Sequence, residues 1–397
     1  MKKNILFLLI CLFFGFTTFA QKANTNKAYN HFADKEFVKA KEAIDLCILD
    51  EKLAQKAQTW LYKANIYLNL ANQEYEPKRE NNAYQSPYPD AVEQAFDAFV
   101  KAKAMNKNVE GWEMFTPDEG IPKLYTLLLV YGVDELIAKE YEAAKRILRK
   151  AITSYEFTSP PQISLNGEHY YYYAHTLEIL NEIENATYYY NKAIADGSNN
   201  MNAYFRLIEN YKKEKNHAKI KEIIDAGKKS LPGDPVLYVC EIDYYYHIGD
   251  KETAHLLIEN VPFITAVFEN ADLLVNIANF YILDTNYTKA YELLTKANQM
   301  MPRNFVIYYN LGVCTYYLAE ENSQKANALE VKGDKNNATT YKTKAESLLL
   351  EAENYFEYVH EIEPQDINVM QTLRSIYARL QSPKYDGMNA KIKAVEK

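Results

Sequence analysis

One spacing constrains this chain more than any other feature. Aromatic or large apolar residues recur at Tyr170, Tyr204, Tyr238, Leu274 and Tyr308, in steps of 34, 34, 36 and 34. Seven residues further on sit Leu177, Tyr211, Tyr245 and Tyr281. A third track runs through Ala186, Ile220, Ala254 and Ala290, and a fourth through Tyr190, Ile224, Ile258 and Leu294. A fixed period of this length marks stacked supersecondary units, each too small to bury its apolar face alone. Spacings of 3, 4 and 7 put the large residues on one stripe of a helix. Turn residues at Asn181, Gly249-Asp250 and Asp284-Thr285-Asn286 divide each unit into two helices, and Pro232 and Pro302 stop the second helix of two units. With Gly 12 and Pro 13 in 397 residues, the chain is too poor in turn residues for a fold of many short strands.

The unit with Leu274, Ile277, Ala278, Tyr281, Ala290, Leu294, Ala297 and Pro302 resembles the tetratricopeptide repeat family, and Tyr170, Tyr173, Ala174, Leu177, Ala186, Tyr190 and Ala193 follow the same pattern. The resemblance implies an all-α fold: an α-solenoid of about eight helix-turn-helix units with a C-terminal cap helix. Small residues such as Ala174 and Ala186 would sit at the closest crossing of the two helices, with Tyr170, Leu177 and Tyr190 beside it. The sixth unit departs from the pattern, with Glu241 in place of Leu and Ile242 in place of Gly.

The expected organisation is a signal peptide over 1–20, units one and two over 21–110 with a loop insertion at 72–90, and a linker over 111–124. Units three to seven follow over 125–304. The eighth spans 305–365, with an extended helical hairpin at 319–351, and a cap helix and tail occupy 366–397. The signal reading rests on Lys2-Lys3, the apolar run from Ile5 to Phe16, and the small residues Thr18 and Ala20 before polar Gln21. It places the cut after Ala20 and the mature chain in the periplasm or outside the cell, with no membrane span left. Losing Lys2 and Lys3 takes the net charge from −8 to −10, which suits neither nucleic acid nor anionic lipid. Cys47, Cys240 and Cys314 are too far apart in sequence for a metal knuckle and read as small apolar packing residues.

The seven histidines form no His-Glu-x-x-His motif, and neither a phosphate-binding loop nor a nucleophile elbow is present. The sequence therefore points to no catalytic residues, no metal and no cofactor, and the chain reads as a non-enzyme. The resemblance implies a concave groove lined by the first helix of each unit and a protein or peptide partner. Carried over by position, the groove residues are Tyr171, His175, Phe205, Glu209, Val239, Asp243, Tyr246, Asn279, Tyr309 and Tyr316. Two alternatives stand beside this reading: glycan binding by exposed aromatic rings, Trp112 among them, and self-association of an incompletely capped end.

Overall fold

The computed structural model describes residues 23–81, 84–157, 167–259 and 269–395. The expected signal segment, its cut after Ala20 and Pro160-Pro161 lie outside them. Among the described residues the chain is all α, with no strand. It divides into two compact units, residues 1–210 and 211–397.

In the first unit, α1 (Thr25–Ala33) pairs with α2 (Phe37–Leu49), and a short α3 (Glu51–Ala54) follows. Then come α4 (Ala57–Glu80) with α5 (Ala91–Met105), α6 (Pro117–Lys123), α7 (Tyr125–Ile137) with α8 (Tyr141–Glu156), and α9 (Glu168–Ile179) with α10 (Ile183–Ala195). The boundary falls within α11 (Met201–Lys213). The second unit continues with α12 (His217–Ser230), α13 (Pro235–His247) and α14 (Lys251–Glu259). After these come α15 (Ala271–Leu283) and α16 (Tyr287–Met300), α17 (Phe305–Val331) and α18 (Lys335–Ile362), and α19 (Ile367–Arg379) and α20 (Lys384–Val395).

The repeat tracks become packing. Ala174, Ala186, Tyr190, Leu274, Ala278, Ala290 and Leu294 are all 0 to 1% exposed. Small residues let two helix backbones approach. At Gly132 and Gly312, which hold the position of Ala174 in their own units, an added Cβ would lie 2.7 Å from Leu148 and 2.9 Å from Phe356. Glu241, out of pattern in sequence, is buried and held by Lys228 and Lys221 of α12, so an ion pair replaces an apolar contact there.

Two further tracks emerge. Asn200, Asp234, Asn270 and Asn304 stand just before a first helix, and each accepts a hydrogen bond from a backbone N–H in its first turn. Lys139, Asn181, Lys215, Gly249 and Thr285 all have positive φ, between 56° and 84°. Each supplies the left-handed step between the two helices of a pair, and only one is Gly. Thr285, β-branched and exposed at φ 58°, carries the least suitable side chain for that step. Replacing Thr285 by Gly is expected to stabilise the second unit by about 1 kcal/mol, read as a higher urea midpoint at unchanged slope. An unchanged midpoint would mean that the left-handed turn costs nothing here.

Three segments differ from their expected form. The insertion at 72–90 is not a loop from its start, because α4 runs on as helix to Glu80 with Pro77 inside it. Lys78 reaches Asp134 at 2.9 Å and sits 4.0 Å over the Tyr131 ring, while buried Glu74 accepts from the Tyr84 hydroxyl at 2.8 Å. The 111–124 segment contains α6, capped by reciprocal Thr116 and Glu119 bonds. The 366–397 segment contains a second helix, α20, packed on α19 through Met388 and Ile392. At 27 and 28 residues, α17 and α18 are each about 40 Å long, twice an ordinary helix of this chain. Ala319, Asn322, Ala326, Ala338 and Ala345 form the buried seam between them.

Candidate functional site

In the first unit, Tyr171 and His175 lie one turn apart on α9, with rings stacked at 6.1 Å and only 6° between planes. His175 Nδ1 is 3.9 Å from Glu178, which also accepts from the Tyr190 hydroxyl at 2.8 Å and lies 3.8 Å from Arg206 on α11. Burial pushes the His175 imidazole toward its neutral form, helped by the Arg206 charge. Burial raises the Tyr171 and Tyr190 hydroxyls, keeping them protonated. Tyr171 is itself buried, so its ring braces α9 and offers no open face. Phe205 and Glu209, on the next first helix, stay half-buried and reach the surface.

In the second unit, Val239 is buried, while Asp243, Tyr246, Asn279, Tyr309 and Tyr316 are half-buried. The structure ties most of these to neighbouring helices. Asp243 pairs with Lys212 at 2.5 Å and with His247 Nδ1 at 3.3 Å. Tyr246 donates to Asp284, which also pairs with His255 at 2.6 Å, and its ring stacks on Phe280 at 4.9 Å. Asn279 accepts from Asn310 at 2.9 Å. Tyr309 meets Phe356 edge-on at 5.9 Å, and the Tyr316 hydroxyl lies 3.1 Å from Ser375. Asp243, Tyr246, Asn279, Tyr309 and Tyr316 are thus half-buried and engaged by neighbouring side chains.

Sequence reasoning missed one concavity. The C-terminal ends of α11 and α13 and the start of α12 enclose about 340 Å³, with Ile220 and Tyr244 as apolar wall and Lys212, Lys215, His217, Asp243 and His247 as polar wall. Its only sequence signal is a lysine-rich turn, Lys212-Lys213-Glu214-Lys215.

Of the two indoles, Trp60 is half-buried, donates to the Ala54 carbonyl at 2.8 Å and lies under Lys101, whereas Trp112 is 75% exposed. Cys47, Cys240 and Cys314 are buried free thiols, and burial raises the Cys314 thiol to about 12. Among the described residues, no three His, Cys, Asp or Glu side chains cluster closely enough to hold a metal, and no helix is long and apolar enough to cross a membrane.

No family model and no curated protein matches the chain. Solved structures similar to it include yeast Tom70, at 13% identity and TM-score 0.42, covering 94% of this chain and 90% of that one. A tetratricopeptide repeat protein from Parabacteroides merdae has 17% identity and TM-score 0.34, covering 73% and 96%. A thermophilic TPR protein of Thermus thermophilus has 16% identity and TM-score 0.36, covering 48% and 98%. With its 34-residue period, its paired helices and its small residues at their crossings, the chain is an all-α repeat of helix-turn-helix units that resembles the tetratricopeptide repeat.

Proposed function

We propose that the chain is an exported, non-enzymatic scaffold that holds a protein segment along its first-helix faces in the bacterial cell envelope. What supports this reading is that aromatic and polar side chains at the positions carried over from the repeat are half-buried within each unit taken by itself: Phe205 and Glu209 in the first, and Asp243, Tyr246, Asn279, Tyr309 and Tyr316 in the second. Tyr offers rigid contact area and a hydroxyl, the combination favoured where proteins meet. Lys2-Lys3, the apolar run and the Ala20 boundary support export.

A photo-crosslinking residue at Phe205 or Tyr309 is expected to trap one discrete partner in envelope-fractionated cells, while the same residue at outward-facing Glu292 traps none. Phe205→Ala with Tyr309→Ala is expected to weaken capture of that partner about tenfold. Equal trapping at all three positions would overturn the assignment of these residues. The exported chain is expected to begin at Gln21 on N-terminal sequencing, and a chain retaining Lys2 would overturn cleavage.

A further inference from the structure

We propose that the concavity bounded by α11, α12 and α13 is a subsite for an acidic segment of the partner, taking an apolar side chain inside and its flanking carboxylates on the lysine and histidine rim. This rests on the scaffold reading and gives it a ligand chemistry.

The first observation is charge placement. Residues 211–221 hold five Lys and one Glu in a chain whose net charge is −8. The same stretch of the units starting at 125, 167, 235 and 271 is residues 135–145, 177–187, 245–255 and 281–291, and none of these carries more Lys and Arg than Asp and Glu. Lys212, Lys219 and Lys221 pair with Asp243, Glu222 and Asp225, so the reversal of sign rests on the single turn around Lys213 and Lys215. An attractive field at one point of an otherwise acidic surface selects anionic partners and repels cationic ones.

The second observation is shape. Two of these lysines, Lys212 and Lys215, line a cavity of about 340 Å³, within the ~300–1,000 Å³ typical of ligand sites. Ile220 is buried at its base and the half-buried Tyr244 ring forms a second apolar wall. An apolar side chain seated there would lose little to unpaired polar groups.

The third is the state of the rim. Asp243 is neutralised within the structure by Lys212 at 2.5 Å and faces His247 Nδ1, so it does not set the sign of the pocket. Lys215 and His217 are exposed and make no ion pair among the described residues. Lys215 holds the left-handed turn position at φ 56°, which fixes its Cα at the mouth of the cavity. Lys215 and His217 thus stand exposed at the rim, within reach of an incoming carboxylate.

The test uses the full mature chain and fluorescein-labelled peptides of alternating Glu and Phe, or alternating Lys and Phe, read by anisotropy. The Glu-Phe peptide is expected to bind saturably and the Lys-Phe peptide at least about tenfold more weakly. Lys215→Glu with His217→Glu, both surface changes checked for fold by circular dichroism, is expected to weaken the Glu-Phe peptide about tenfold. Lys139→Glu, at the equivalent turn of α7 and α8, is expected to leave it unchanged. Affinity should fall as salt rises. Equal binding of the two peptides, or an unaffected double variant, would overturn the subsite. So would full displacement by inorganic phosphate, or preference for phosphatidylglycerol vesicles, since either assigns the basic rim to a phosphate or a membrane surface. Crosslinking at Tyr309 reads the scaffold independently: if it persists while the peptide test fails, only the subsite is lost.

Discussion

Gly120→Ala is expected to lower the stability of the first unit by about 3 kcal/mol, at the upper end of the range for overpacking a core. Gly120 lies in α6, and a Cβ there would stand 2.2 Å from Phe99 Cζ and 2.5 to 2.6 Å from both Cε atoms. Phe99 is 0% exposed, so its ring has no solvent-facing rotamer to escape into. Ser154, beside the same short helix, donates to the Ile121 carbonyl at 2.5 Å and ties α6 to α8, which limits how far the helix backs away. Both tryptophans, Trp60 and Trp112, belong to the first unit, so indole fluorescence in urea reads that unit alone. A midpoint equal to that of the native chain would show that α6 moves freely. Phe99→Leu in the Gly120→Ala background is expected to recover part of the loss, because the two changes share one volume.

Acidification from pH 6.5 toward pH 4 is expected to cost the first unit up to about 3 kcal/mol through His169. This residue is 0% exposed, and its ring lies 4.1 Å from both the Tyr155 and Tyr170 rings and 5.6 Å from Tyr125. Nδ1 is 3.2 Å from the Tyr125 hydroxyl, and buried Nε2 has no hydrogen-bond partner. Burial in this cage lowers its pKa from 6.5 to about 4, with the Glu156 charge opposing and the Lys192 charge assisting. A lowered folded pKa means that the unfolded chain binds the proton first. The stabilisation is therefore complete above pH 6.5 and is lost as pH falls through about 4. Burial also raises the hydroxyls of Tyr125, Tyr155 and Tyr170, which stay protonated throughout this window. His169→Phe removes the titrating group while keeping a ring in the cage. Indole-monitored urea midpoints of that variant are expected to vary less with pH between 6.5 and 4 than those of the native chain. Parallel pH profiles would assign the loss to carboxylates instead.

The positions that build the repeat were legible in the sequence because each performs the same packing task every 34 residues. Ala174, Ala278, Ala290 and Leu294 could be named without coordinates, and so could the departures at Glu241 and Ile242. The candidate partner-facing residues were legible only as positions. Whether a given position faces a partner or a neighbouring helix depends on what the next pair brings, and no local rule supplies that. Tyr171 and Val239 are buried, whereas Phe205, in the same position of its unit, is not.

Segments without the period were read less well, for the same reason. Pro77 and the polar residues around it look like a loop, since Pro removes a helical hydrogen bond. The helix persists to Glu80 because Lys78 finds Asp134 and Glu74 finds Tyr84, contacts spanning 56 and 10 residues. The sequence by itself determined the helical class, the two-helix unit and the small residues at each crossing, because a repeated local pattern states its own geometry. Only the tertiary structure decided the course of α4, the second helix of the C-terminal segment and the pocket that gathers Lys212, Lys215, His217 and His247 around Tyr244. Each of these depends on residues far apart in the chain meeting across neighbouring helices, and periodicity carries no information about such meetings.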